Sequence, residues 1–243
     1  MFVKLDNSDS SICSWVSDKP PEATHAGVLQ RLGTVVGGVF RPQGTPLSTR
    51  RKGNLGEFLS FFVGEQCDGL AMPPYRVYPM NALNPFDDIS LPGVDIVWVF
   101  FGDTEDGDHV ILQEVKTTSA ADLRIASDLT EDYARLFGTN PEYSWANRLA
   151  HIQQMLELFA HGPHLADRME RFLARNPQNT TATFIHPTLV FDSTMADPQL
   201  AVDRLKVVKD TLIAMNWPAS TIAPLSIALD GLDGHLARLL TGR

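Results

Sequence analysis

The stretch GVDIVWVFFGDTEDGDHVILQEVKTT, Gly93 to Thr118, constrains the fold more than any other part of the chain. Two apolar runs flank GDTEDGD, a turn-forming segment with four acids, and the alternation within each run predicts a β-hairpin. Its first strand begins with Asp95, and its second carries Glu114 and Lys116. Residues two apart on a strand project from one face, so Glu114 and Lys116 form a pair. A turn centred near Glu105 sets Asp95 opposite residue 115. Because side chains alternate, Asp95 joins Glu114 or Lys116 only if the register shifts by one, for instance through a bulge.

Two carboxylates and an ammonium on strands this apolar are costly unless something compensates them. A divalent cation does so. Mg²⁺ (or Mn²⁺) takes hard oxygen ligands and is commonly held by one or two carboxylates together with a substrate phosphate. A lysine beside it can orient an attacking water or neutralise charge that develops on phosphate.

The remaining chain reads as an α/β pattern. Residues 1–44 mix short apolar runs with Gly and Pro and are taken as an N-terminal extension, with the main domain over 45–243. In LGEFLSFFVGEQ, Leu55, Leu59, Phe62 and Val63 fall on one helical face, and Glu57 is the only acid in that apolar run before Gly64. YRVYPMN reads as a short strand. Helical segments follow the hairpin, in ADLRIASDLTEDYARLFG, SWANRLAHIQQMLELFAHG and ADRMERFLARN. TATFIHPTLVFDS then reads as a buried strand, DPQLAVDRLKVVKDTLIAMNWP as a helix, SIALDGL as a last strand and HLARLLTGR as a terminal helix. This order predicts a central mixed β-sheet flanked by helices.

Composition narrows the function classes. With 243 residues, 44% of them hydrophobic and 20% charged, the chain can close a substantial core. Cys13 and Cys67 belong to no C-x-x-C pair, which argues against a disulfide framework or structural zinc site and suits a cytoplasmic location. No window approaches the apolar length of a membrane span. A net charge of -9 disfavours coating of nucleic acid by bulk electrostatics. One short basic run, Arg50, Arg51 and Lys52, is the candidate nucleic-acid contact. His161 and His164 in HGPH lack the spacing of a zinc pair, and Gln153 and Gln154 read as solvent-facing, with a reach into the site from their helix as the alternative. Neither a P-loop nor a G-x-S-x-G nucleophile motif is present.

An E-x-K ending an apolar strand, a hairpin partner beginning Gly-Val-Asp and a preceding helix bearing Glu57 together resemble the PD-(D/E)xK nuclease superfamily over about residues 50–195. The resemblance implies a restriction-endonuclease-like core and a metal-dependent deoxyribonuclease. It makes Glu57, Asp95 and Glu114 metal ligands, Lys116 the catalytic lysine, and DNA the substrate. One departure is that Pro92 lies three residues before Asp95 instead of adjoining it. The size, the acid balance and the long helical segment after E-x-K further resemble the nuclease subunit of Hachiman-type anti-phage defence systems, which accompanies a helicase. That implies an ATP-driven partner for a chain that has no P-loop of its own. Two other readings share these features: a stand-alone restriction endonuclease, and an inactive nuclease fold used for binding or assembly, in which the charges form a structural network.

Overall fold

The computed structural model describes residues 2–4, 13–17, 52–54, 56, 57, 59, 60, 76–79, 94–136, 167, 168, 172 and 182–234. Seven strands lie in one sheet: β1 (Phe2–Lys4), β2 (Cys13–Ser17), β3 (Arg76–Pro79), β4 (Ile96–Phe100), β5 (His109–Thr118), β6 (Thr183–Asp192) and β7 (Leu225–Leu229). Their order is β1-β2-β7-β6-β5-β4-β3. The sheet is mixed: β5, β6, β7 and β2 run parallel, and β4, β3 and β1 pair antiparallel to their neighbours. The two strands from the first seventeen residues therefore continue the same sheet beyond β7.

The predicted hairpin is β4 and β5, joined over residues 101–108 with one 3-10 turn at Glu105–Gly107. A side chain from a distant helix holds that turn. Arg168 donates from Nε to Asp108 Oδ2 at 2.8 Å and from Nη2 to the Gly102 carbonyl at 2.7 Å, and it also contacts Asp108 Oδ1. Asp108 Oδ1 in turn accepts from the Gly102 amide at 2.9 Å, while the guanidinium lies over the Phe101 ring. Gly102 has no room for a side chain here, since a Cβ would stand 2.9 Å from the Gly107 Cα.

One face of the sheet carries Val97, Val99, Val110, Leu112, Ile185, Leu189 and Phe191 into the main core. Among the described residues two full helices pack on that face, together with the helical Phe172. The first, α1 (Asp128–Leu136), buries Leu129, Tyr133 and Leu136 at the i, i+4, i+7 spacing of one helical stripe. It is reached from β5 through a corner at Leu123, whose φ of 51° is left-handed and whose side chain is fully buried. A bulky residue holds that conformation only where packing fixes it. The second helix, α2 (Pro198–Ala214), starts as its sequence predicts. The Asp197 side chain caps it by accepting from the Gln199 amide at 2.8 Å, and Pro198 occupies the first turn. Ala201, Val202, Leu205, Val208 and Leu212 form its buried stripe.

The opposite face is also buried. Trp98 Nε1 donates to Gln113 Oε1 at 2.7 Å, and Gln113 Nε2 donates to Thr188 Oγ1 at 3.0 Å, so a buried glutamine is satisfied at both ends. His186 lies on the same face, and burial pushes its pKa down to about 4. Strand β6 runs through Pro187, which a central strand ordinarily excludes. The ladder from β6 to β7 begins only at Thr188, with one isolated bridge at Ile185, so Pro187 sits in a gap of that ladder.

Several sequence-predicted features lie outside the described residues: Arg50, Arg51, Gln153, Gln154, His161, His164, the helix SWANRLAHIQQMLELFAHG and the terminal helix HLARLLTGR. No helix among the described residues is long and apolar enough to cross a membrane.

Candidate active site

Pairing of β4 with β5 runs from Ile96 with Gln113 to Phe100 with His109. The ladder is thus centred between Thr104 and Glu105, not on Glu105. Continued by one step, it sets Asp95 opposite Glu114 instead of residue 115, and the two carboxylates share a face without a bulge. The connection runs over residues 101–108, one residue longer than the acidic segment GDTEDGD, and the added Phe101 moves the centre by half a step from a register counted on that segment alone.

Asp95 stands just before β4 and stays in contact with β5: its Oδ2 accepts from the Val115 amide at 2.8 Å. Its carboxyl and that of Glu114 lie within hydrogen-bonding reach of each other. Glu114 is buried, and burial pushes its pKa well above the usual carboxylate range, helped by the neighbouring charges of Asp95 and Asp132. Asp95 is also raised by burial, against the opposing pull of the Val115 amide and the Lys116 ammonium. Two carboxyls in contact cannot both be ionised cheaply, which favours a shared proton or a bound cation between them.

Lys116 projects from the same face of β5 as Glu114, and Nζ forms an ion pair with Asp132 Oδ2. Burial alone would lower the lysine's pKa, but Asp132, Asp95 and Glu114 together raise it. Asp132 comes from α1, as does Tyr133. The Tyr133 hydroxyl donates to the Leu112 carbonyl at 2.9 Å and accepts from the Glu114 amide at 3.2 Å. Consecutive residues of one helix therefore grip the strand backbone at Glu114 and the lysine two residues on.

Sequence reasoning did not find Asp132. The signal was present, because Leu129, Asp132, Tyr133 and Leu136 follow the i, i+3, i+4, i+7 pattern of a single stripe. An acid inside a buried stripe calls for a partner.

Glu57 is helical and half-buried. Its neighbour Gly56 lies against β5 so closely that a Cβ there would fall 1.7 Å from Thr117 Oγ1, which brings this helix to the end of the strand that bears Lys116. Among the described residues no three acidic, histidine or cysteine side chains are gathered closely enough to hold a metal. Lys52, on the same helix, is committed elsewhere: Nζ pairs with Asp233 at 2.6 Å and donates to Ser119 Oγ at 2.9 Å.

The donor set left for a cation is Asp95 with Glu114. Two hard oxygen donors in contact, one carrying a displaceable proton, fit Mg²⁺ or Mn²⁺, which keep waters in their other positions. Compared with known families and curated proteins, the chain matches no family model and no curated sequence.

Proposed function

We propose that this chain is a metal-dependent phosphodiesterase with a restriction-endonuclease-like core, acting on DNA. The observation that carries the reading is the placement of Asp95 directly opposite Glu114, with Lys116 on the same face of β5. Asp95 and Glu114 would hold a Mg²⁺ or Mn²⁺ ion, which when bound polarises the phosphoryl oxygen and lowers the pKa of a bound water. Asp95 is oriented by the Val115 amide, and Glu114 by its place in the strand and by Tyr133 on its own amide. The Lys116 ammonium supplies positive charge beside the scissile phosphate. DNA as the substrate rests on the resemblance of the motifs.

The chain is further proposed to act as the cutting subunit of an anti-phage assembly, with a helicase or other ATP-driven partner delivering DNA. Support comes from the charge of -9 and from Lys52, one of three residues in the only short basic run, being held by Asp233. A protein that neutralises few phosphates binds duplex DNA weakly at physiological salt.

A second reading has an observation of its own. The ion pair of Lys116 with Asp132 is also what an inactive nuclease-like fold, kept as a binding or assembly module, would show. Nicking of supercoiled plasmid in Mg²⁺ separates the two. The parent cuts and Lys116→Ala does not if the site is catalytic; a parent that cuts under no metal condition favours the module.

A further inference from the structure

Three carboxylates surround one ammonium in this site, and the ammonium has chosen among them. Lys116 lies near Asp95, Glu114 and Asp132, yet its Nζ forms its ion pair with Asp132, on the helix. The side chains of Lys116 and Asp132 are only 23% and 19% exposed, so water screens the pair weakly. Asp132 Oδ1 has one further partner, the exposed Arg135, at 3.5 Å. Helix α1 is itself fixed to β5, because Tyr133 bonds to the strand at Leu112 and Glu114. The position of the Asp132 carboxylate is therefore set by the fold and not by a mobile surface side chain.

A lysine on a flexible four-carbon stem, placed two residues from Glu114, would otherwise satisfy the Asp95–Glu114 pair itself. An ammonium there would occupy the place of a divalent cation and repel it. We infer that Asp132 is a positioning residue that anchors Lys116 on α1, keeping the ammonium off the Asp95–Glu114 pair and leaving that pair available to a metal ion. The inference rests on the cation-site reading above and adds a residue which that reading does not contain. Asp132 touches neither substrate nor metal in this account; it acts through Lys116.

The test is calorimetric Mn²⁺ binding to four full-length proteins: the parent, Asp132→Asn, Lys116→Ala and Lys116→Ala/Asp132→Asn. Melting curves identify the folded variants. Asp132→Asn is expected to bind Mn²⁺ about ten-fold more weakly than the parent, within the range of coupling between neighbouring charges. In the Lys116→Ala background the same substitution is expected to change affinity by no more than about two-fold, because the competing ammonium is gone. Equal weakening in both backgrounds would mean that Asp132 acts only as a nearby negative charge, and would overturn the inference. So would Asp132→Asn binding as the parent does. A parent that binds no Mn²⁺ overturns the cation site, which is a different failure. Should Asp132→Asn fail to fold, Asp132→Glu keeps the anchor charge and is expected to bind within about two-fold of the parent, and a ten-fold loss there contradicts anchoring.

Discussion

Two buried charge clusters sit at opposite ends of the β4–β5 hairpin, and they are built differently. At the turn, one guanidinium meets one carboxylate, and both are filled: Arg168 also serves the Gly102 and Thr104 carbonyls, while Asp108 also takes the Gly102 amide. At the open end, three carboxylates face one ammonium, and two of the three are pressed together. The first arrangement is complete in itself and holds the register of the strands. The second has an excess of acid in a buried place, which fits the cation site proposed above.

The largest expected effect of breaking this contrast is on chemistry at the open end. Glu114→Gln and Lys116→Ala should each slow plasmid nicking by about a hundred-fold or more. Glu114→Gln should leave the melting temperature unchanged or raise it, since it removes a carboxyl that burial already disfavours as an anion. Parental nicking rates in both variants would remove the catalytic assignment. Arg168→Ala should act in the opposite way. Leaving Asp108 buried without its partner costs roughly 3 kcal/mol of stability, measurable by denaturant titration, with Mn²⁺ affinity of the folded protein little changed. A destabilisation below about 0.5 kcal/mol would show that the clamp is ornamental to the fold.

His186, buried on the other face, gives a pH-dependent effect of similar size. Its pKa falls from an ordinary value of about 6.5 to about 4 in the folded protein, so the folded state disfavours the proton. Its contribution to stability is complete above about pH 6.5 and is lost as pH falls towards 4, by up to roughly 3 kcal/mol. Asp95 and Glu114, with raised pKa values, work in the opposite sense over acid pH: their contribution is complete below the ordinary carboxylate range and lost as pH rises through their folded values. Comparing the pH dependence of melting for the parent and His186→Gln isolates the histidine. The variant should show the shallower loss between pH 6.5 and 4, and identical profiles would contradict the assignment.

The smallest effect concerns how the helix bearing Gly56 reaches β5. Gly56→Ala forces a methyl against Thr117 and should cost about 1 to 3 kcal/mol, read by denaturant titration. A neutral substitution would mean that the helix can shift away from the strand without penalty.

The hairpin, the pairing of Glu114 with Lys116 and the helix over Pro198–Ala214 were legible in sequence, because each is encoded locally by alternation, helical period or a capping Asp-Pro. The register was not. It depends on Phe101 belonging to the connection and not to β4, and on a turn held by Arg168, sixty residues from Asp108, and neither can be counted from the acidic segment. Asp132 escaped for a related reason. The stripe of Leu129, Tyr133 and Leu136 marks Asp132 among the acids of its helix, but the lysine that Asp132 meets lies on β5, and only docking of the helix brings the two together. Lys52 reads as a free basic residue in sequence, yet Asp233, which it meets, lies far along the chain.

The central claim is that Asp95 and Glu114 form a cation site whose proton a metal displaces. Mn²⁺ titration calorimetry of the parent and of Glu114→Gln, repeated in buffers of different ionisation enthalpy, tests it directly. Binding in the parent should release a proton, seen as a heat that varies with the buffer, and both the binding and the buffer dependence should be lost in Glu114→Gln. Equal Mn²⁺ binding by the two proteins, or none by the parent, would contradict the claim.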